Sequence, residues 1–478
     1  MQSKVHEECG IFGAYSNSSD GKKLINEAYL ALFAIQHRGQ VSCGIAVSDD
    51  GKVHYYREQG LVFEVFTPDA IKKLIDDGKG DMVIGHVRYS ASGECGFHNS
   101  QPLVMRYAKG SMSIANNGKL TNTVEIRREL EKLGAIFQTN TDAELIAYLV
   151  ARERLNTGGI EQAISNVMPK LKGAYSFVMM TPHKLIAVRD PKGFRPLCIG
   201  ELNGEYMISS ESCALDSIGA KFVRDVEPGE IVVIDKNGLR SIKDHCGKKT
   251  SFCVFEYIYF ARPDSIIDGV GVHLARQRAG AKLAQETPVD ADIVIGVPDS
   301  GNDAAIGYAN ESGIPFGMGF IKNKYIGRTF IQDSQIQRER SVHIKLNPLA
   351  SAVKGKRVVL IDDSIVRGTT IKKIVGLIRD GGATEVHVRI SSPPFINVCY
   401  YGTDITSKED LIACRMTQEE IRESIGADSL GYLGVDSLRE IAYESEYDFC
   451  DACFTGEYPT DIPTEEVEDK FAIKLESL

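Results

Sequence analysis

The stretch Val358-Val-Leu-Ile-Asp362-Asp363-Ser-Ile-Val-Arg-Gly-Thr-Thr370 decides the fold of the second half of the chain. Four apolar residues ending in two carboxylates, then a turn of small residues feeding a helix, describe a diol-and-phosphate site at the carboxyl end of a strand. The carboxylates suit ribose hydroxyls or Mg²⁺. The N–H groups of the turn and the Thr hydroxyls suit a 5′-phosphate at the positive end of a helix dipole. A strand-capping Asp pair with a helix N-cap would account for one Asp and one Thr, but not for the whole string. Downstream, Ile371, Ile374, Val375 and Ile378 recur at helical spacing before Gly381-Gly382, and Glu385 to Ile390 reads as the next strand. The same pattern occurs upstream: Asp292 to Val297 is rich in β-branched residues and is followed by Pro-Asp-Ser-Gly and an Ala-rich helical stretch that stops at Gly313. Strand, turn, helix and strand in repetition predict an α/β domain with a parallel, crossover-connected sheet.

The first half is patterned differently. Strand-like segments at Met82 to Gly85, Ser111 to Ala115, Ala174 to Met180, Leu185 to Val188, Tyr206 to Ser209 and Glu230 to Ile234 alternate with helical periodicity in Gly21 to Gln36, Thr123 to Leu133 and Asp142 to Arg154. This predicts α+β with mainly antiparallel sheets. The polar stretch Lys236 to Ser251, punctuated by Asn-Gly and Gly-Lys-Lys, is the boundary. The expected organisation is a leader at 1–8, domains at 9–240 and 253–458, and an acidic tail at 459–478.

A chain of 478 residues exceeds what one core organises, which agrees with two domains. No apolar run approaches the length of a bilayer span, so a membrane protein is excluded. With 55 basic against 65 acidic side chains the net charge is −10, which removes the electrostatic footprint of a nucleic-acid binder. The opening Met1-Gln-Ser-Lys-Val-His-Glu-Glu has no apolar run after its lysine, so a cytoplasmic location is expected. Eleven cysteines, an odd number, then point to metal or nucleophile chemistry ahead of a disulfide scaffold.

Cys9-Gly-Ile-Phe-Gly13 alone could hold a buried structural cysteine. If the leader is cleaved, however, Cys9 becomes the chain terminus, and its α-amino group can act as base for its own thiol. Together with His37-Arg-Gly-Gln40, Gly85-His-Val-Arg-Tyr-Ser90, Asn117-Gly118 and Thr141-Asp-Ala-Glu144, the pentapeptide resembles the glutaminase domain of the N-terminal-nucleophile amidotransferases, five blocks in family order. The resemblance implies Cys9 as nucleophile, the Asn117 amide and Gly118 N–H as oxyanion donors, Arg88 for the glutamine α-carboxylate and Asp142 for its α-ammonium group. The family usually has His before Asn-Gly. This chain has Asn116, which cannot titrate near neutral pH, and no role is assigned to it.

The Asp362-Asp363 string in turn resembles the substrate motif of type I phosphoribosyltransferases. Asp362, Asp363, Ser364, Arg367, Gly368, Thr369 and Thr370 are then expected to bind phosphoribosyl pyrophosphate. Gly296-Val-Pro-Asp-Ser300 resembles the diphosphate loop, with Ser300 joining Asp362 and Asp363 at Mg²⁺. Lys322 to about Lys345 resembles the flexible catalytic loop, with Lys322, Tyr325 and Arg328 as its substrate residues.

Cys450-Asp-Ala-Cys453 by itself could serve zinc, redox chemistry or nothing. The contexts of Cys253, Cys399, Cys450 and Cys453 resemble the iron-sulfur-bearing branch of the glutamine phosphoribosylpyrophosphate amidotransferases, where four such cysteines hold one 4Fe-4S cluster. Four thiolates would accept zinc as well. The other cysteines are read as structural.

The two resemblances run in order from Cys9 to Pro459. They imply glutamine-dependent transfer of ammonia to phosphoribosyl pyrophosphate, giving 5-phosphoribosylamine, glutamate and diphosphate, at the start of purine synthesis. They also imply purine nucleotides as feedback inhibitors and a homotetramer. Another N-terminal-nucleophile amidotransferase would not need Asp362-Asp363. A non-catalytic phosphoribosyl-pyrophosphate-binding regulator would lack a terminal cysteine nucleophile.

Overall fold

The computed structural model describes residues 9–18, 20–74, 78–89, 96–323, 346–405 and 407–463. In the first half two antiparallel sheets lie face to face. The seven-stranded sheet runs, in spatial order, Lys221–Asp225, Cys198–Leu202, Glu205–Ser209, Gly10–Tyr15, Met82–Arg88, Ser42–Asp49 and Lys52–Gln59. The six-stranded sheet runs Gly238–Ile242, Ile231–Asp235, Lys184–Arg189, Ser176–Thr181, Gly110–Asn117 and Leu103–Tyr107. Ile11, Ile84, Val178, Ala187, Ile208 and Val232 fill the space between them. The helix Gly21–Ala34 covers the outer face of the first sheet, and Thr123–Lys132, Asp142–Arg154 and Ile160–Val167 cover the second. Because both faces of the central strands are covered, Gly10–Tyr15 and Met82–Arg88 are buried almost throughout and carry no polar alternation.

The hairpin Ser42–Asp49 and Lys52–Gln59 was not anticipated from its residues. Its turn places Asp50 at φ 45° and Gly51 at φ 83°, the left-handed pair that a two-residue hairpin requires, and Asp-Gly is the signal that marks it. The polar stretch after Asp235 also differs from expectation. Gly238–Ile242 pairs with Ile231–Asp235, so the first domain's sheet continues two residues past 240 because an edge strand, wet on one side, can be polar.

In the second half Ile293–Gly296, Arg357–Asp362, Glu385–Ile390 and Ser429–Tyr432 form a parallel sheet in that order, as the strand-turn-helix pattern predicts. Helix Gly301–Ser312 ends at Gly313, at φ 73°, and Thr369–Asp380 follows the acidic strand. Helices Val272–Glu286 and Gly301–Ser312 touch backbone to backbone: a Cβ at Gly280 would lie 1.8 Å from the Ala304 carbonyl oxygen, and one at Gly307 equally close to that of Gln277. No helix among the described residues is long and apolar enough to cross a membrane.

Candidate functional site

Strand register assembles the first site. Gly10 pairs with Val87, which sets Cys9 beside Arg88 at the end of the neighbouring strand. The half-buried Cys9 Sγ donates to the Tyr89 carbonyl at 3.8 Å. Burial pushes the thiol up, while Arg88 and Arg38 pull it down. Across the sandwich, Asn117 ends its strand opposite Ser176 and is fully buried. Neither polar atom of its amide has a partner among the described residues, which is costly unless a ligand supplies one. Gly118 leaves the strand at φ 128°, and a Cβ there would meet the Ala174 carbonyl oxygen at 2.5 Å, so only glycine fits. Asp142 opens its helix and accepts from the Leu120 N–H at 2.8 Å and the Thr123 hydroxyl at 2.7 Å, which fixes the orientation of its carboxylate.

A buried ionic network, not anticipated from the sequence, ties this site to the second domain. Arg38, from the His-Arg-Gly-Gln block, is fully buried and donates through Nε to the Cys9 carbonyl at 3.1 Å. Its other nitrogens reach Glu211 at 2.6 Å and both oxygens of Glu256 at 2.9 and 2.7 Å. Glu211 also accepts from His37, the Arg262 N–H and Ser265, and against the upward push of burial His37 and Arg38 hold its carboxyl well below the usual range. Arg195 meets Glu256 at 3.4 Å and the Tyr401 carbonyl at 2.9 Å. Sequence periodicity carries no sign that these charges are interior, because long charged side chains are normally exposed.

In the second site Asp362 and Asp363 sit at the carboxyl end of the central strand, each 1% exposed. Asp363 accepts from Ser300 and, at 2.6 Å, from Ser364, so the loop Gly296 to Ser300 and the acidic string meet. Gly368, at φ 79°, caps the helix whose first residues are Thr369 and Thr370. Arg367 is engaged with Asp410 at 2.6 Å, and Lys322 with Asp299. Tyr325 and Arg328, like the leader at 1–8, Ser90, Cys95 and the end of the tail, lie outside the described residues.

The four cysteines named from context converge. Phe252–Cys253 and Phe449–Cys450 form a two-stranded parallel ladder with Cys253 opposite Cys450, and the Cys453 carbonyl takes the N–H groups of Ile396 and Asn397, both at 3.1 Å. With Cys399 they line a small cavity walled otherwise by Phe194, Arg195, Phe255, Phe395, Tyr401 and neighbouring side chains. Burial pushes Cys253 up to about 11 and Cys450 and Cys453 well above the thiol range. Among the described residues no three His, Cys, Asp or Glu side chains close on a single metal-ion position. A donor set of thiols alone, in an apolar wall, fits soft-metal chemistry. Of the other cysteines, Cys43, Cys198 and Cys213 are buried, Cys246 is half-buried and Cys414 is exposed.

A family model for a glutamine amidotransferase domain matches residues 88–217, and one for a phosphoribosyl transferase domain matches 271–391. A Methanocaldococcus jannaschii protein named amidophosphoribosyltransferase is 48% identical over 474 residues, covering 96% of this chain and 99% of its own length. A Bacillus subtilis protein of the same name is 47% identical over 464 residues, 96% of this chain and 95% of its own. Among solved structures, the Bacillus subtilis glutamine phosphoribosylpyrophosphate amidotransferase complexed with ADP and GMP superposes with a TM-score of 0.88 at 46% identity, covering 96% of this chain and 99% of that one.

Proposed function

This chain belongs to the amidophosphoribosyltransferase family, the glutamine-dependent enzymes of the first step of purine biosynthesis, and from that premise we propose how its residues divide the reaction. The reaction takes glutamine, water and phosphoribosyl pyrophosphate to 5-phosphoribosylamine, glutamate and diphosphate. Cys9 Sγ attacks the glutamine carboxamide. The thiol proton passes to the Cys9 α-amino group, free once residues 1–8 are removed, and on to the departing ammonia, after which water cleaves the thioester to glutamate. The oxyanion rests on the Asn117 amide and the Gly118 N–H, with Arg88 on the substrate's α-carboxylate and Asp142 on its α-ammonium. The observation that carries this assignment is the buried Asn117 amide without a partner, on the strand end that faces the Cys9 strand across the sandwich.

In the second domain Asp362 and Asp363 orient the ribose hydroxyls, and the turn from Ser364 to Thr370 holds the 5′-phosphate at a helix N-terminus. Transferases of this kind use Mg²⁺, which offsets diphosphate charge; Ser300, Asp362 and Asp363 offer the hard oxygen donors it prefers. Lys322, Arg328 and the other cations of the segment to Lys345 offset the charge of the leaving diphosphate, and Tyr325 offers it a hydroxyl donor. Ammonia moves between the domains shielded from water.

We assign Cys253, Cys399, Cys450 and Cys453 to one 4Fe-4S cluster. Four thiols from three separated segments on one apolar wall make the all-sulfur donor set that such a cluster takes. Such a group would tie residues 253, 399 and 450–453 together. The ADP and GMP of the Bacillus subtilis structure support feedback inhibition by purine nucleotides. A cytoplasmic homotetramer completes the proposal, with light scattering as its test. The test of the first half-reaction is Cys9→Ala: glutamine-dependent synthesis should vanish while synthesis from free ammonia persists. Equal loss of both overturns the assignment.

A further inference from the structure

We propose that His86 and Gln101 are positioning residues that fix the oxyanion-binding strand end by gripping the Asn116 peptide at its carbonyl and its N–H. The inference rests on the assignment of Asn117 and Gly118 as oxyanion donors and deepens it. The ladder between Leu103–Tyr107 and Gly110–Asn117 stops at the pair Leu103 and Ile114. Continued by two residues, it would set Gln101 opposite Asn116, but the intervening Pro102 has no N–H to give. The main-chain N–H and carbonyl of Asn116 therefore project from the strand beyond the end of their ladder, in a buried place where each needs a partner.

Side chains supply both. The Asn116 N–H donates to Gln101 Oε1 at 2.8 Å, and the Asn116 carbonyl accepts from His86 Nε2 at 3.2 Å. His86 belongs to Met82–Arg88, the strand that pairs with Gly10–Tyr15 and puts Ile11 opposite His86. Its bond therefore crosses the apolar space between the two sheets, linking the strand beside the nucleophile to the strand that ends in Asn117. A carbonyl can only accept, so Nε2 carries the proton. Burial holds this imidazole down at about 3, which keeps it in the neutral form that has one fixed donor. The Asn116 side chain completes the grip by donating from Nδ2 to the Gly118 carbonyl at 3.3 Å. Asn117 is thus bracketed: its predecessor's peptide is held on both polar groups, its successor's carbonyl is held once, and its own amide is left for a ligand.

Preorganised donors act only if their position is fixed before charge develops, and displacement of about 1 Å can cost on the order of a hundredfold in rate. His86→Leu keeps bulk but removes the donor, whereas His86→Gln keeps an N–H at similar reach. The readouts are glutaminase kcat and glutamine KM, ammonia-dependent synthesis, and affinity for glutamate γ-semialdehyde, whose adduct with Cys9 carries the tetrahedral oxyanion. His86→Leu should lower glutaminase kcat and aldehyde affinity together by about ten- to a hundredfold, with glutamine KM changed less than about threefold and ammonia-dependent synthesis intact. His86→Gln should recover most of the loss and keep the wild-type pH profile above pH 5. Gln101→Leu, at the sheet edge, should show the same split and serves if His86→Leu does not fold. A rise in KM at unchanged kcat, equal loss of both activities, or no rescue by His86→Gln overturns the proposal. If Asn117→Ala lowers aldehyde affinity while the His86 and Gln101 variants do not, this inference alone fails. If Asn117→Ala leaves it unchanged, the oxyanion assignment itself fails.

Discussion

Glu256→Gln tests whether the interdomain network serves the nucleophile. Glu256 and its partners Arg38 and Arg195 are fully buried, and its carboxylate accepts from Arg38 at 2.9 and 2.7 Å and from Arg195 at 3.4 Å. Removing its charge leaves Arg38 with Glu211 and takes from Arg195 the carboxylate it meets at 3.4 Å. Breaking a buried pair on one side costs about 3–5 kcal/mol, and the lower figure applies because Arg38 keeps Glu211 at 2.6 Å. A loss of about 3 kcal/mol corresponds to a fall of roughly 6–12 °C in Tm for domains of this size. Arg38 also donates to the Cys9 carbonyl at 3.1 Å, so its release shifts the nucleophile, and glutaminase kcat/KM should fall about tenfold or more. Ammonia-dependent synthesis should fall much less. Thermal unfolding and the two activities, measured side by side, give the readout. If Glu256→Gln keeps its Tm within about 2 °C and its glutaminase within about twofold, the network is not a support for Cys9.

Three further outcomes are expected. Gly118→Ala should lower glutaminase at least tenfold by forcing the peptide away from the Ala174 carbonyl, 2.5 Å from the added Cβ, and leave ammonia-dependent synthesis in place, as steady-state assays of both would show. Protein purified without oxygen should carry about four irons per chain, and Cys399→Ser should lose them, measured by metal analysis; stoichiometric zinc would refute the cluster. Asp225 is pushed up to about 7 by burial and by Asp268, against the pull of Arg189. A carboxyl raised in the folded state lends stability that is full below about pH 4 and lost as pH rises through about 7, so Asp225→Asn should flatten the fall of Tm between about pH 4 and 7.

Much of this protein is written locally. The strands Arg357–Asp362 and Glu385–Ile390 and the helices around them follow from apolar periodicity and glycine stops, because those signals act within one turn or one strand. Cys9, Asn117-Gly118 and Asp142 are legible through the resemblance of their short motifs to a family, and Asp362-Asp363 through its own string of residues. The hairpin at 42–59 had its Asp-Gly turn in plain view. Only the tertiary structure decided the rest. Arg38, Glu211, Glu256 and Arg195 lie far apart in the chain, and their charges look solvent-facing until two domains close over them. His86 reads as one more residue of an apolar strand until the second sheet brings the Asn116 carbonyl within 3.2 Å. The four thiols, spread over two hundred residues, share a wall only because Phe252–Cys253 pairs with Phe449–Cys450. Periodicity fixes which face of an element is apolar, but the partner of a buried charge or donor is set by where distant elements meet.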